Sequence, residues 1–314
     1  MDFTALLFAG LTTLSLSLVQ QESEIIPSGD LQQQPAGDAT SSLSQSIEES
    51  VVVEATRSKF EEARFLIRGM PMNEAMTRLA EFFLGSPYLA MSLDQSGRER
   101  LRLDLTQFDC MLFVEQLLAI VSADSFDGFA ERTRRLRYRN GEISYCTRQH
   151  YFQDWVGSAQ LQGVLETSPV WPGQAMRNLS LNFMSSHRDR YPALQSPALF
   201  NCIDALEQER RIDQHYLPLA ALDDALPSFQ SGDIFAVATR VGGLDVSHTG
   251  ILVRDGSRLD AIHAAPGRGV MRSRSFTRYL RSVPDAIGAV IVRPQRVKSV
   301  HFCGNEALTS KSCR

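Results

Sequence analysis

The stretch Gln107–Val121 reads QFDCMLFVEQLLAIV, and it decides how the rest of the chain is interpreted. Apolar residues occupy nearly every position after Cys110, which predicts a helix that is buried on all sides. Asp109 suits the N-cap of that helix, because an aspartate side chain accepts hydrogen bonds from N–H groups of the first turn. Cys110 would then lie within the first turn, where the helix dipole favours the thiolate over the thiol.

A single cysteine in such a run has two interpretations. Free cysteine is among the most buried residue types, so a packed core thiol explains the segment taken alone. A nucleophile at a helix N-terminus explains it as well, since the same N–H groups could hold an oxyanion. The nucleophile needs a base within reach, and a later part of the chain carries two histidines.

These two histidines, His248 and His263, lie in residues 246–267, which read VSHTGILVRDGSRLDAIHAAPG. Asp255–Gly256 separates two apolar runs, and Asp-Gly is a strong signal for a two-residue hairpin loop. With that loop the histidines face each other directly, with Cβ atoms about 5 Å apart. The pair suits a catalytic base held by an orienting partner. A metal site is not predicted, because no third ligand at metal spacing is evident.

The order of the sequence patterns predicts an α+β fold. Helical spacing covers residues 54–70 and 72–88, whereas short runs rich in β-branched residues follow Gly232. Turn signals containing glycine separate most of these runs, as expected for an antiparallel meander. The predicted strands cover residues 233–240, 247–254, 258–265, 270–275 and 287–294.

Four segments are distinguished along the chain. Residues 1–21 are a candidate signal peptide, which predicts export to the periplasm or the exterior, although the usual basic start is missing. Residues 22–54 are rich in Gln, Ser, Gly and Pro and predict a flexible linker. Residues 55–300 form the predicted folded domain, and residues 301–314 are a C-terminal tail.

Composition excludes several classes of protein. The formal net charge of −4 gives no support for nucleic acid as a partner. The N-terminal apolar run is marginal for a membrane span, so no stable span is expected. The five cysteines include no C-x-x-C pair, so structural zinc is not predicted. Cys303 and Cys313 could form a disulfide, but the sequence leaves the cysteine pairing open.

Five blocks in order resemble the N-acetylmuramoyl-L-alanine amidase-like branch of the NlpC-type papain-like cysteine peptidases of bacterial cell walls. The blocks are LGSPYLAMSL (84–93), FDCMLFVEQLLAI (108–120), RYRNGEISYCTRQHYFQDW (137–155), NFMSSHRDRYPAL (182–194) and GGLDVSHTGILV (242–253). The resemblance spans about residues 60–295 and implies a papain-like fold, in which the catalytic helix packs on the antiparallel sheet.

The resemblance also implies roles for individual residues. Cys110 is the implied nucleophile and His248 the general base and acid, while His263 stands where such enzymes keep a polar third residue. Tyr88 matches a tyrosine that lines the site near the oxyanion in relatives. Met111 departs from the family, where a small or hydroxylated residue commonly follows the cysteine, so the detail of the pocket is open.

An aromatic section in the middle of the chain is the candidate substrate-binding wall. Tyr145, His150, Tyr151 and Trp155 would hold the sugar and stem peptide of the substrate. The alternative is a packed subdomain, because aromatic side chains dominate protein cores.

The function implied by the resemblance is hydrolysis of the amide bond between the lactyl group of N-acetylmuramic acid and L-alanine. The substrate is peptidoglycan or a muropeptide, and no cofactor is expected. One alternative is an endopeptidase acting between D-glutamate and the diamino acid. The others are a wall-binding module without activity and a thioester-forming acyltransferase on a related fold.

Overall fold

A seven-stranded antiparallel sheet with helices on both faces forms the framework of the protein. The computed structural model describes residues 50–94, 98–166, 170–208 and 210–296. The candidate signal peptide, most of the predicted linker, the C-terminal tail and the Cys303–Cys313 candidate lie outside the described residues. Within the described part, no helix combines the length and apolar character needed to cross a membrane.

Most of the helices precede Gly232, and most strands of the large sheet follow it. The helices are α1 Thr56–Leu66, α2 Met72–Phe82, α3 Cys110–Val121, α4 Phe126–Arg137, α5 Phe152–Leu161, α6 Phe183–Ser186, α7 Pro197–Gln208, α8 Leu222–Ala225 and α9 Phe276–Ser282. The strands are β1 Val51–Val52, β2 Arg102–Leu103, β3 Ala175–Ser180, β4 Arg211–Pro218, β5 Ile234–Thr239, β6 Val246–Asp255, β7 Arg258–Ala265, β8 Gly269–Ser273 and β9 Ala286–Val292. Short 3₁₀ turns lie at Arg139–Gly141, Arg188–Arg190, Pro192–Gln195 and Leu226–Ser228.

The large sheet has the order β3-β4-β9-β5-β6-β7-β8, and each neighbouring pair is antiparallel. Strands β5 to β8 form the predicted meander, so the α+β prediction is confirmed. The sequence did not reveal β3 and β4, which lie in its loop-rich middle section. Both strands are rich in polar residues and sit at one end of the sheet, where solvent removes the apolar signal that marks a buried strand.

The predicted linker is wrong at its C-terminal end. Val51–Val52 forms a parallel pair with Arg102–Leu103 instead of remaining free. The run of three valines that begins at Val51 favours a strand once a partner is available. Only the distant segment around residue 102 supplies that partner, which is why local composition gave no indication of the pairing.

Helix α3 is the central helix of the core, as predicted. Its residues Leu112 to Ile120 are all buried, and it packs against β6 and β7. The sheet beneath is buried on both faces: Ile234 and Ala236 of β5 face the helices, whereas Phe235 and Val237 face a second apolar cluster around α9. This alternation explains why β5 reads as a continuous apolar run.

A disulfide joins two parts of the middle section. Cys146, in the turn before α5, is bonded to Cys202 on α7 across 56 residues of sequence. Helix α7 contributes to a separate small cluster, whose buried residues are Tyr145, Met184, Leu194 and Ile203. A cluster this small buries little apolar surface, so a covalent link should contribute a large share of its stability.

Cys146→Ser is expected to lower the free energy of unfolding by about 2–4 kcal/mol, because it releases a long loop in the unfolded chain. Urea unfolding followed by circular dichroism measures the change. Reductant should bring the wild type close to the variant and leave the variant itself unaffected. Equal stability of the two oxidised proteins would contradict the prediction.

Candidate active site

The N-terminus of α3 carries the cysteine that the sequence singled out. Asp109 caps the helix, its Oδ1 accepting a hydrogen bond from the Leu112 N–H at 2.7 Å. Cys110 follows as a half-buried residue, and it is the free thiol among the described cysteines. Its sulfur lies near the backbone of Thr249 on β6, so the helix start and the sheet meet at this atom.

The N–H groups at the start of α3 favour the thiolate of Cys110, as expected, but burial outweighs them. Burial raises the pKa of Cys110 to about 12, and the neighbouring Asp109 carboxylate adds to the rise. The N–H groups of Thr249 and of the helix start act in the opposite direction and are outweighed. Cys110 is therefore a thiol at neutral pH, and it would need a base to take its proton in order to act as a nucleophile.

His248 and His263 form a hydrogen-bonded pair, and His248 immediately precedes Thr249, whose backbone lies near the thiol. His248 Nε2 lies 2.9 Å from His263 Nδ1, and His263 Nε2 lies 2.9 Å from the hydroxyl oxygen of Ser273. If each Nε2 carries the proton, His248 donates to His263 and His263 donates to Ser273. This arrangement leaves His248 Nδ1 unprotonated and available as an acceptor.

The register of the hairpin differs from the predicted one by two residues. Asp255 pairs with Arg258, so the loop is Gly256–Ser257 and the continued register places His263 opposite Gly250. The histidines are therefore diagonal neighbours and not directly opposed. They remain on one face because a shift of two residues preserves the alternation of side chains along a strand.

Gly250 is a requirement of this arrangement. A Cβ at this position would lie 2.8 Å from the Cβ of His263 and 2.7 Å from the ring of Phe235. The absence of a side chain lets the His263 ring lie across β6 and reach His248. A register shift between β5 and β6, from Ala236↔Thr249 to Ala238↔Val246, leaves Ser247 and His248 opposite Val237. Such a bulge re-aims a side chain at the end of a strand.

Both histidines are neutral in the resting protein. Burial lowers the pKa of His248 to about 3, with a further contribution from His263. Burial likewise lowers the pKa of His263 to about 4. If His248 acts as the base for Cys110, the neutral forms of both groups mean that proton transfer would accompany attack on a substrate, rather than precede it.

Two tyrosines lie close to the thiol. Burial raises the pKa of Tyr88, with Cys110 and Asp109 as further causes, which places the predicted Tyr88 beside the nucleophile. The sequence did not single out Tyr279 on α9, whose ring centroid is 4.6 Å from that of His263. Cys110 also raises the pKa of Tyr279 after burial, so both hydroxyls face the same region.

Three of the four residues of the predicted aromatic wall are buried. Tyr145 and Tyr151 are each 5% exposed, and Trp155 is 1% exposed. The hydroxyl of Tyr151 donates to Glu207 at 2.5 Å and accepts from the Phe183 N–H at 2.9 Å. These contacts hold α6 and α7 together, so the packed-subdomain alternative describes these three residues better.

His150 occupies a different position from the three buried rings. It lines a cavity of about 190 Å³ that opens beside Asp109 and Met111, the two neighbours of Cys110 in sequence. Its Nε2 lies 2.7 Å from the backbone oxygen of Tyr145. Trp155 also contributes to the lining, but its exposure is too small for it to serve as a sugar platform.

A buried ion pair joins α3 to two neighbouring segments. Glu115 Oε1 accepts from Arg137 Nη2 at 2.6 Å and from its Nε at 3.0 Å, and both side chains are at most 3% exposed. Arg137 also donates to the backbone oxygen of Arg102 at 2.7 Å. The pair therefore fixes α3 to α4 and to the segment carrying β2. No local pattern in the sequence marked Arg137 as buried.

Comparison with known protein families identifies the same region. The family model described as AmiA-like, N-acetylmuramoyl-L-alanine amidase-like, matches residues 78–288. The matched segment includes Tyr88, Cys110, His248, His263 and Ser273, so it carries the complete site. No significantly similar protein is found among curated proteins.

Solved structures with the same fold extend this comparison. An N-acetylmuramoyl-L-alanine amidase from Bacteroides uniformis is 31% identical with a TM-score of 0.65, covering 72% of this chain and 99% of its own. A protein from Bacteroides fragilis described as a putative xylanase is 32% identical with a TM-score of 0.61, covering 68% and 99%. A Legionella pneumophila protein is 20% identical with a TM-score of 0.64, covering 77% and 95%, and supports the fold alone.

Proposed function

This chain belongs to the N-acetylmuramoyl-L-alanine amidase-like family, and from this premise we propose that it is a cysteine amidase of peptidoglycan or muropeptides. The bond cut would be the amide between the lactyl group of N-acetylmuramic acid and L-alanine. The finer placement among NlpC-type papain-like enzymes belongs to the same proposal. It is supported by a cysteine at a helix start followed by two histidines on adjacent strands.

The observation that carries the proposal is the hydrogen-bonded chain of His248, His263 and Ser273, which begins one residue from the backbone that contacts the thiol. Cys110 lies beside the backbone of Thr249 on β6, the residue that follows His248, and His248 is linked to His263 and His263 to Ser273 by hydrogen bonds of 2.9 Å. A nucleophile, a base and a group that orients the base are the parts that covalent amide hydrolysis requires.

Acylation would involve two proton transfers, one from Cys110 to His248 and one from His248 to the leaving amine. The Cys110 sulfur attacks the amide carbon while His248 Nδ1 takes the thiol proton. N–H groups of the first turn of α3 and the Tyr88 hydroxyl would stabilise the oxyanion. The C–N bond then breaks, and the imidazolium of His248 gives its proton to the leaving amine of L-alanine.

Deacylation would return the site to its starting state. Water attacks the thioester carbon as His248 Nδ1 accepts one of its protons, and the C–S bond breaks. The sulfur recovers the proton, and the muramoyl carboxylic acid leaves. Throughout these steps His263 accepts the Nε2–H of His248 and stabilises the imidazolium.

Activity should be independent of pH between about pH 7 and pH 9, because the working forms are neutral His248 and protonated Cys110, and the neighbouring Asp109, whose pKa burial raises to about 6, is ionised throughout this range. His248 gains its proton only as the pH falls through about 3, and Cys110 loses its proton only near 12. The measurement is kcat/KM for release of stem peptide in buffers of constant ionic strength. Circular dichroism at each pH reports whether the protein stays folded. A change in kcat/KM within this range would contradict the two neutral working forms.

Export is part of the proposal. The Cys146–Cys202 disulfide supports it, because disulfides persist in oxidising compartments and are rare in the cytosol. An exported amidase would meet peptidoglycan outside the cytoplasmic membrane. Fractionation of the native cells with antibody detection tests this location directly.

The experiment that tests the proposed bond is digestion of purified muropeptides and intact sacculi, with products identified by mass spectrometry. Release of a stem peptide that begins with L-alanine, together with intact N-acetylmuramic acid, is the expected result. Products cut after D-glutamate would retain the cysteine chemistry and replace the bond. The absence of any product from either substrate would reject the amidase.

A further inference from the structure

The cavity beside Cys110 is lined by side chains other than those of Cys110, His248 and His263. Asp109, Met111 and Leu112 of the first turn of α3 form one side of it. The opposite side comes from the turn before α5 and from the disulfide-linked cluster, through Gln149, His150, Met184 and Tyr191. Asp109 and Met111 flank Cys110 in sequence, so the cavity lies within reach of one end of a substrate bound at the thiol.

The formal charges around the cavity are already matched within the protein. Asp94 forms an ion pair with Arg148, which also lies 3.3 Å from Glu99. Glu115 and Arg137 form the buried pair described above. Asp109 caps α3 with its carboxylate. Since a carboxylate or ammonium of a ligand would find no unmatched partner here, the cavity favours an uncharged group.

The uncharged side chains supply hydrogen-bonding groups of both kinds. No described residue bonds the side-chain amide of Gln149 or the hydroxyl of Tyr191, and both residues are half-buried. His150 is neutral, because burial lowers its pKa to about 3 with Arg148 as a further cause. Its Nε2–H donates to the Tyr145 carbonyl, which leaves Nδ1 as an acceptor.

The remaining lining is apolar and includes Met91, Leu93, Met111, Leu112 and Met184. Met91 is unusual in two respects: it is 43% exposed, and its backbone φ of 55° lies in the left-handed region. A non-glycine residue in this conformation costs of order 1–3 kcal/mol and clusters at ligand sites. The strained turn holds an exposed thioether at the cavity, where a ligand methyl group could cover it.

We propose that this cavity is an acetamido pocket, which binds the uncharged N-acetylamino group of an amino sugar next to the bond that Cys110 attacks. The inference rests on the proposed function, and it assigns recognition to the sugar side of the bond instead of the peptide side. Gln149 or Tyr191 donates to the acetyl oxygen, His150 Nδ1 accepts the amide N–H, and the methyl group packs on the methionines.

The test is binding to the inactive Cys110→Ala protein, measured by calorimetry. The probes are N-acetylmuramoyl-L-alanyl-D-isoglutamine and the same compound without the N-acetyl group. The acetylated probe should bind about 10- to 100-fold more tightly. Gln149→Leu in the same background should reduce that preference about fivefold or more. Gln174→Leu is the matched control, since Gln174 is a half-buried glutamine that lines a different cavity.

Equal binding of the two probes, absence of binding by both, or equal losses in Gln149→Leu and Gln174→Leu would each overturn the pocket. Cleavage by the wild type is scored separately. If both probes are cut at the L-alanine amide with equal efficiency, the amidase stands and the pocket is rejected. If neither probe is cut while selective binding remains, the pocket stands and the amidase is rejected.

Discussion

Cys110→Ala is expected to lower kcat/KM for amide hydrolysis at least about 10⁴-fold, which is the loss typical of removing a nucleophile from a site that works as a unit. The sulfur is the atom on which the acyl group would be carried, and no other described cysteine is free. The described residues offer no second thiol that could replace it. Binding at the site should remain, since the substitution removes one atom from a half-buried side chain.

The measurement is the initial rate of stem-peptide release, followed by mass spectrometry or chromatography. Cys110→Ser is the matched variant, because it retains the shape and replaces the sulfur with a poorer nucleophile. Both proteins should unfold within about 2 °C of the wild type, as expected for a substitution that leaves the core intact. A retained rate above one tenth of the wild-type rate would remove Cys110 from the mechanism.

Glu115→Gln should lower the free energy of unfolding by about 3–5 kcal/mol, because it leaves the buried guanidinium of Arg137 without its carboxylate. Both side chains are at most 3% exposed, so water cannot replace the lost partner. The amide keeps the size of the carboxylate and changes only its charge and one hydrogen-bonding position. Urea unfolding at neutral pH measures the effect.

The matched control is Asp223→Asn, which breaks an ion pair to Arg281 whose side chains are 58% and 43% exposed. An exposed pair of this kind contributes at most about 1 kcal/mol. The double variant Glu115→Leu with Arg137→Met should recover part of the lost stability, since it removes both buried charges. Equal losses in the buried and exposed variants would show that the pair does not support α3.

The parts of the structure that the sequence predicted well are those with local patterns. Helix α3 and its Asp109 cap follow from an apolar run and one capping residue, and β7 was predicted with its observed bounds. The contact between the two histidines was also anticipated, although the turn was placed one residue early. The prediction survived because an error of two residues in register returns a side chain to the same face.

The features that escaped prediction depend on distant residues. Ser273 could have been found by applying the hairpin reasoning to the next turn, between β7 and β8. There Ser273 pairs with Ala261, two residues before His263 on β7. Tyr279 gives no such signal, because α9 reaches the site only through the packing of the second cluster. The thiol pKa was misjudged for a related reason: burial is a property of the whole fold, whereas the helix dipole can be assigned from one segment.

Gly250 has a consequence for recognising this arrangement in other genomes. Its backbone lies so close to the His263 side chain that a substitution there would displace the second imidazole or the adjoining strand. A search pattern that requires only a cysteine and a later histidine would accept many unrelated proteins. A more selective pattern requires His-x-Gly with a second histidine fifteen positions after the first. The glycine is required because any side chain there would collide with the second histidine. Homologues that break this pattern should use a different partner for the first histidine.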